Sequence, residues 1–168
     1  MELIKSEING YYCPDDPGEP GTDARRLSVN DIEARFIGEL AHGKDVYEIG
    51  TGLGVSTKAL AQKAKSVLTS DIDLWVWENV WPTLPDNVKG WDDRFPPSGD
   101  GFDMAFIDGS HVTKDVKNDI INCRLVVKDK GLIVFHDVNM KSVVDAIKQS
   151  SLTVLVTGIG SIGMAWNE

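Results

Sequence analysis

The stretch Val46–Thr57 reads VYEIGTGLGVST, which combines a strand-forming run, a glycine-rich turn and the start of a helix. Glycine has no Cβ and tolerates positive φ, so a turn of this kind brings bare backbone close to a ligand. The helix that follows points its first N–H groups at the same place. The stretch therefore predicts a nucleotide-type cofactor site at the end of a strand.

The glycine spacing favours one class of cofactor. Glu48 is followed by Gly50, Gly52 and Gly54 in the pattern Glu-x-Gly-x-Gly-x-Gly. A dinucleotide fingerprint counted from Gly50 would need its third small residue at Val55, and a valine there opposes close packing around a pyrophosphate. A glutamate just before the turn also suits a cofactor with a cationic amine. The pattern resembles motif I of the class I S-adenosylmethionine (SAM) methyltransferases.

Length and composition are typical of one compact domain spanning residues 1–168. The chain is 42% hydrophobic and has a net charge of −9, so its acidic surface disfavours nucleic acid as a substrate. Two cysteines without metal-ligand spacing indicate a reducing, cytoplasmic setting. No secretory signal opens the chain, and no apolar run approaches the roughly 20 residues that span a membrane. We therefore expect neither a membrane nor a nucleic acid as partner.

The rest of the chain alternates between strand and helix patterns. Residues 1–27 are rich in Pro, Gly and Asp and are predicted to form a loop or lid, with the core at 28–168. A helix is expected from Ser28, capped by Ser28 or Asn30. Further helices are predicted at 55–64, 73–80, 111–127 and 141–149, and strands at 46–49, 66–70, 88–91, 102–107, 132–135, 152–157 and 162–166. This order predicts a doubly wound α/β fold whose seven-stranded sheet is mostly parallel and ends in an antiparallel hairpin.

Ligands of open α/β sheets bind beyond the carboxyl ends of the strands. Asp71 ends the second core strand about 20 residues past the glycine turn, where an acidic residue accepts ribose hydroxyls. Its alternative role is to cap the next helix. Ile72 is expected against the adenine face. Asp92 or Asp93 is expected to meet the adenine amino group, although adjacent aspartates are also ordinary in turns.

A second signature pairs FIDGSH at 106–111 with GLIVFHD at 131–137. Together these motifs resemble the methyltransferase family that includes cephalosporin-hydroxylase-like and macrocin-O-methyltransferase-like proteins, over about residues 28–166. The resemblance implies a Rossmann-like class I methyltransferase fold, SAM as cofactor and a sugar or other small molecule as acceptor. It also implies cofactor contacts, which are Glu48, Gly50, Thr51, Gly52, Ser56, Asp71, Ile72, Asp92 and Asp108. Among these, Ser56 would meet the methionine carboxylate, and Glu48 would either bind the methionine side indirectly or orient the glycine turn.

The chemistry of methyl transfer points to a second group of residues. SAM carries its own leaving group, so the protein mainly aligns donor and acceptor. An acceptor hydroxyl must lose its proton, and His111 or His136 is the candidate base. Alternatively, a divalent metal ion lowers the pKa of the acceptor. Asp108, His136 and Asp137 occupy the positions of the metal ligands in metal-dependent relatives. An imidazole among them suits Mn²⁺ or Zn²⁺ better than Mg²⁺.

Both histidines also have simpler explanations. His136 and Asp137 would form an ordinary hydrogen-bonded pair at a strand end, and His111 would be only a residue at a helix start. Trp75, Trp77, Trp81 and Trp91 crowd one segment and would line an acceptor pocket, a homodimer interface or the core. Because Trp75 and Trp77 are two apart, one helix points them in different directions, and at least one should lie near the surface.

The sequence thus predicts a SAM-dependent O-methyltransferase for a small molecule or sugar, with the acceptor between the N-terminal segment, His111 and His136. One alternative is an NAD(P)-dependent reductase, although the chain lacks a Tyr-x-x-x-Lys pair. Another is a SAM-binding module without catalysis of its own.

Overall fold

The computed structural model of the chain describes residues 28–92 and 101–168. Of the N-terminal segment it describes only two short antiparallel strands, β1 (Ile4–Lys5) and β2 (Tyr11–Tyr12). The rest of the predicted loop or lid lies outside the described residues, as does Asp93.

The described core follows the predicted alternation. Its elements are α1 (Asp31–Leu40), β3 (Asp45–Ile49), α2 (Val55–Ala61), β4 (Ser66–Ser70), α3 (Leu74–Asn79), a 3₁₀ turn (Trp81–Thr83), β5 (Val88–Trp91), β6 (Phe102–Ile107), α4 (Thr113–Val126), β7 (Val127–Phe135), α5 (Lys141–Gln149), β8 (Leu155–Val156) and β9 (Gly163–Trp166). None of the described helices has both the length and the apolar character that a membrane span requires.

The main sheet has seven strands in the order β5-β4-β3-β6-β7-β9-β8. The strands from β5 to β7 run parallel, and β9 is antiparallel to both β7 and β8. This confirms the predicted doubly wound fold with its antiparallel hairpin. The strand order reverses between β3 and β6, and such a switch point is where open α/β sheets bind ligands.

The core fills both faces of the sheet. Met104 and Phe106 of β6 pack into one apolar cluster, and Ala105 and Ile107 pack into the other. Because side chains alternate along a strand, a strand buried on both faces needs a continuous apolar run. Helices α1 and α2 cover one face, and α4 and α5 cover the other.

The structure differs from the sequence prediction mainly at element ends. Strand β7 begins at Val127 rather than at residue 132, directly after α4. The polar run 128–130 suggests a turn, but here it extends an exposed part of the strand, with Lys130 at a φ of 61°. Helix α1 is capped by Asn30, the second of the two predicted caps. Trp75 is 52% exposed, which confirms that at least one tryptophan of the pair lies near the surface.

Candidate active site

The carboxyl ends of five parallel strands meet at one edge of the sheet. They carry Gly50 after β3, Asp71 after β4, Asp92 after β5, Asp108 after β6 and His136 after β7. The fold therefore brings the sequence-predicted residues to the same edge, in the two groups described next.

The glycine turn lies against the end of the neighbouring strand β6. Gly50 has a φ of 97°, and a Cβ there would lie 2.2 Å from the Asp108 carbonyl oxygen, so the strand ends can approach only at a glycine. Gly52 also has a positive φ, of 49°, but a Cβ on it would meet nothing within 4 Å. The space above the turn is therefore open to a ligand.

Asp71 connects the end of β4 to the glycine turn. Its Oδ2 accepts from the Gly52 N–H at 2.9 Å, and its Oδ1 accepts from the Asp73 N–H at 2.9 Å. The cap of α3 is Asp73, which accepts from the Trp75 N–H, so Asp71 is not the helix cap. Each carboxylate oxygen of Asp71 keeps a further lone pair for a ligand hydroxyl.

The two residues predicted to contact adenine lie at the surface of this edge. Ile72 is 75% exposed, and Asp92 is exposed as well. Their contacts with adenine stay predictions.

Glu48 is fully buried beneath the glycine turn. It accepts hydrogen bonds from the hydroxyls of Ser56 at 2.7 Å, Thr57 at 2.6 Å and Thr69 at 2.6 Å. Burial raises the pKa of Glu48 to about 7, although the hydrogen bonds from the three hydroxyls act in the opposite direction and lower it. Ser56 gives its single proton to Glu48, so it would have to turn away before it could meet a methionine carboxylate.

His136 is enclosed by three carboxylates. Its Nδ1 lies 3.0 Å from Asp108 and 3.2 Å from Asp137, and its Nε2 lies 3.3 Å from Glu33. Although burial opposes the charge, hydrogen bonds to Asp108, Asp137 and Glu33 raise the pKa of His136 to about 12. The ring is therefore a cation with an N–H on each nitrogen. A base or metal-ligand role for His136 would require the ring to lose one of these protons, and both roles stay predictions.

His111 is the more accessible histidine of the cluster. Its Nε2 lies 2.7 Å from Asp137 Oδ2, and its side chain is 37% exposed. The hydrogen bond to Asp137 raises the pKa of His111, against the effect of burial. Burial would raise the pKa of Asp137, but its bonds to the two histidines hold it well below its usual range. Asp137 has a φ of 55°, a strained geometry of the kind that clusters at functional sites.

Glu33 is a member of the cluster that the sequence analysis missed. It lies in the first turn of α1 and accepts from the Asn30 N–H, from the Ser161 N–H at 2.7 Å and from the Ser161 hydroxyl at 3.1 Å. A Cβ on Gly160 would lie 2.0 Å from Glu33 Oε1, so a glycine lets the β8–β9 loop close over this carboxylate. The available signal was the capping box Asn30-x-x-Glu33.

Within the described residues, one cluster has the geometry of a metal site. Asp108, His111 and Asp137 each offer a ligand atom, and these atoms lie within 4.8 Å of one another. The cluster differs from the predicted ligand set because His111 takes the place of His136. Two carboxylates with one imidazole fit Mn²⁺ or Zn²⁺ better than Mg²⁺.

Comparison with known proteins gives a consistent picture. A family model described as a methyltransferase domain matches residues 47–138, more than half of the chain, from the glycine turn to the end of the His136-Asp137 motif. No curated protein sequence matches the chain.

Solved structures share the fold at low sequence identity. An O-methyltransferase from Bacillus cereus, in complex with SAH, is 19% identical with a TM-score of 0.64, covering 83% of each chain. A tRNA (m1A58) methyltransferase from Aquifex aeolicus is 15% identical with a TM-score of 0.66, covering 87% of this chain and 72% of that chain. A ribosomal protein L11 methylase from Lactobacillus delbrueckii subsp. bulgaricus is 17% identical with a TM-score of 0.61, covering 83% of this chain and 78% of that chain. At these identities the likeness establishes the fold and leaves the acceptor open.

Proposed function

The chain belongs to the methyltransferase-domain family, and from that premise we propose that it is a class I enzyme that uses SAM to methylate a hydroxyl group of a small molecule or sugar. The observation that carries the proposal is the His111–Asp137 pair, which lies at the same sheet edge as the glycine turn. A partly exposed imidazole held by a carboxylate suits the removal of a proton from a hydroxyl acceptor.

SAM would lie across the glycine turn and the ends of β4 and β5. Its methionine part would meet the turn residues Gly50, Thr51 and Gly52, and Asp71 would accept from the ribose hydroxyls. The open space over Gly52 and the spare lone pairs of Asp71 support this placement. Glu48, which is buried under the turn, would lie near the cationic end of such a cofactor. When bound, SAM supplies a methyl group on a positively charged sulfur.

The adenine side would use Ile72 and Asp92, and Asp108 would close the site from the end of β6. Exposure of the first two leaves them free to meet a ligand. Ser56 would contribute after a rotation of its hydroxyl from Glu48 toward the methionine carboxylate.

On the acceptor side, we assign the proton transfer to His111. If its Nε2–H donates to Asp137, its Nδ1 keeps the lone pair that takes the proton from the acceptor hydroxyl. SAM, when bound, would supply the methyl group to the acceptor oxygen from which His111 removes the proton, and its sulfur would keep the electrons of the broken carbon–sulfur bond. His136 instead acts as a charged positioning residue, because both of its N–H groups hold carboxylates.

A divalent metal ion is the second way to activate the hydroxyl. Asp108, His111 and Asp137 would hold it, and the ion would lower the pKa of the acceptor oxygen. His136 would then keep the two carboxylates in place rather than bind the ion.

Thermal melting tests the cofactor. Saturation with SAM or SAH at about 100 times the dissociation constant adds roughly 2.7 kcal/mol, which raises Tm by several degrees. NAD⁺ and NADP⁺ are the contrasting ligands, each with and without Mn²⁺. A shift with a dinucleotide and none with SAM or SAH would contradict the proposal.

Turnover on a panel of phenols, catechols and sugars, followed by SAH release, tests the reaction. We expect His111→Gln to bind SAH like the wild type but to lose about 100-fold or more in turnover. His42→Gln is the matched control, since His42 is exposed and lies outside the site. If SAH binds but no acceptor in the panel is methylated, the SAM-binding module becomes the better description.

A further inference from the structure

We propose that Trp81 is a positioning residue of the cofactor site, because its indole N–H ends a one-way relay of hydrogen bonds that runs beneath the glycine turn to Glu48. The inference rests on the proposed binding of SAM at this turn. It adds residues of the 3₁₀ turn and of α3, which lie outside the glycine motif.

The relay has four members from separate parts of the chain. Trp81 Nε1 lies 3.2 Å from Thr51 Oγ1 in the glycine turn. Thr51 Oγ1 lies 2.7 Å from Thr69 Oγ1 on β4, and Thr69 donates to Glu48 Oε2 on β3 at 2.6 Å. Thr51, Thr69 and Glu48 are each at most 2% exposed, so water does not substitute for a missing partner.

The direction of the relay follows from the proton count. An ionised Glu48 only accepts, so Thr69 gives it the one proton of its hydroxyl. Thr69 must then accept from Thr51, which leaves the Thr51 oxygen in need of a donor. An indole N–H can only donate, and it meets that need. Bonds aligned in this way strengthen one another in a low-dielectric interior.

Packing holds the indole of Trp81 at the end of this relay. The ring stacks on Trp77 with a centroid distance of 5.5 Å and an interplanar angle of 19°. It also covers Gly90 on β5, where a Cβ would lie 2.2 Å from the ring. Trp77 in turn donates its indole N–H to the Asp71 carbonyl at 2.8 Å.

The stacked pair therefore connects the ends of β3, β4 and β5. Through Thr51 it holds the glycine turn, and through the Asp71 backbone it holds the residue proposed to bind ribose. Loss of one buried hydrogen bond of this kind costs about 0.5–1.5 kcal/mol, or roughly 2–10-fold in affinity when the bond preorganises a site.

The experiment is isothermal titration calorimetry of the full chain with SAH at about pH 9, well above the pKa of about 7 that burial gives Glu48, so that its carboxylate is ionised. Trp81→Phe keeps the stacking ring and removes the N–H, and we expect it to bind SAH about 2–10-fold more weakly. Trp75→Phe is the control, because Trp75 lies on the same helix as Trp77 and is 52% exposed. It should bind like the wild type.

Two further comparisons separate the relay from simple packing. In a Thr69→Val background the relay is already broken. Trp81→Phe should therefore weaken SAH binding less in that background than in the wild type. Thr69→Ser keeps the relay hydroxyl and should bind SAH like the wild type, while Thr69→Val should bind SAH about as weakly as Trp81→Phe. This serine and valine pair carries the test if Trp81→Phe does not fold.

Each outcome has a distinct meaning. If the wild type binds neither SAH nor SAM, the proposed function and this inference both fall. If the wild type binds SAH and Trp81→Phe binds it equally well, only this inference is overturned. A third outcome is that the losses of SAH-binding free energy in Trp81→Phe and Thr69→Val simply add in the double variant. That result would show that the two residues act through packing alone, and it would overturn the inference as well.

Discussion

The two glycines Gly50 and Gly52 of the glycine turn differ in what surrounds them. Gly50 meets the backbone of the adjacent strand end, whereas Gly52 faces open space, although both have positive φ. The same residue type therefore serves two purposes within three positions. One glycine permits two strand ends to approach, and the other leaves room for a ligand.

A pair of alanine variants tests this difference. Gly50→Ala places a Cβ against the Asp108 carbonyl, so we expect it to destabilise the protein by more than about 3 kcal/mol or to prevent folding. Gly52→Ala adds only the strain of a positive φ, about 1–2 kcal/mol. Urea unfolding measures both. Equal losses in the two variants would contradict the assignment of the close approach to Gly50.

The burial of Glu48 predicts a pH-dependent stability. The unfolded chain releases the Glu48 proton near the ordinary pKa of 4.5, whereas the folded chain keeps it up to about 7. The folded state thus binds the extra proton between these values, and its stability falls as pH rises through that window. A shift of this size corresponds to about 3 kcal/mol.

Urea titrations of the wild type and Glu48→Gln between pH 4 and pH 8 measure this contribution. We expect the wild type minus Glu48→Gln difference in unfolding free energy to decrease with rising pH. A difference that stays constant or increases with pH would show that the pKa of Glu48 is not raised in the folded protein.

At the scale of elements, the start of helix α1 does more than begin a helix. Its capping box joins Asn30 and Glu33, and Glu33 also binds Ser161 in the β8–β9 loop and faces His136 after β7. One helix end therefore holds the acceptor side of the site together with the C-terminal hairpin.

Three alanine variants of α1 should separate these roles. Asn30→Ala removes the helix cap and should lower the free energy of unfolding by about 1 kcal/mol. Glu33→Ala leaves the buried His136 cation short of one carboxylate and should cost about 3 kcal/mol or more. Glu39→Ala breaks an exposed pair with Lys63 and should leave the unfolding midpoint unchanged. Similar losses for Asn30→Ala and Glu33→Ala would mean that Glu33 acts only as a cap.

At the scale of the whole molecule, stability should decrease from the centre of the sheet to its edge. Strands β3 and β6 are buried on both faces, whereas both residues of the edge strand β8 are exposed. Native-state hydrogen exchange should therefore be slowest in β3 and β6 and fastest in β8. Measurement at two protein concentrations is the control. Protection of β8 that increases with concentration would instead indicate a homodimer with β8 in its interface.

Much of the candidate site could be anticipated because its residues follow strands. The FIDGSH and GLIVFHD motifs predict that Asp108, His111 and Asp137 come from neighbouring strand ends, and the structure brings them together. The role of His136 could not be anticipated in the same way. Its charge depends on Asp108 and Asp137, which the motifs contain, but also on Glu33, which lies 103 positions away in the sequence.

Sequence alone was enough for the alternation of strands and helices and for the glycine turn, because hydrophobic periodicity and glycine spacing act locally and parallel strands end at a common edge. Only the tertiary structure identified the partners within the site. It placed Glu33 against His136, left His111 as the accessible histidine and set Trp81 against Thr51. These contacts join residues far apart in the chain, so their hydrogen bonds exist only once the layers of the fold have packed.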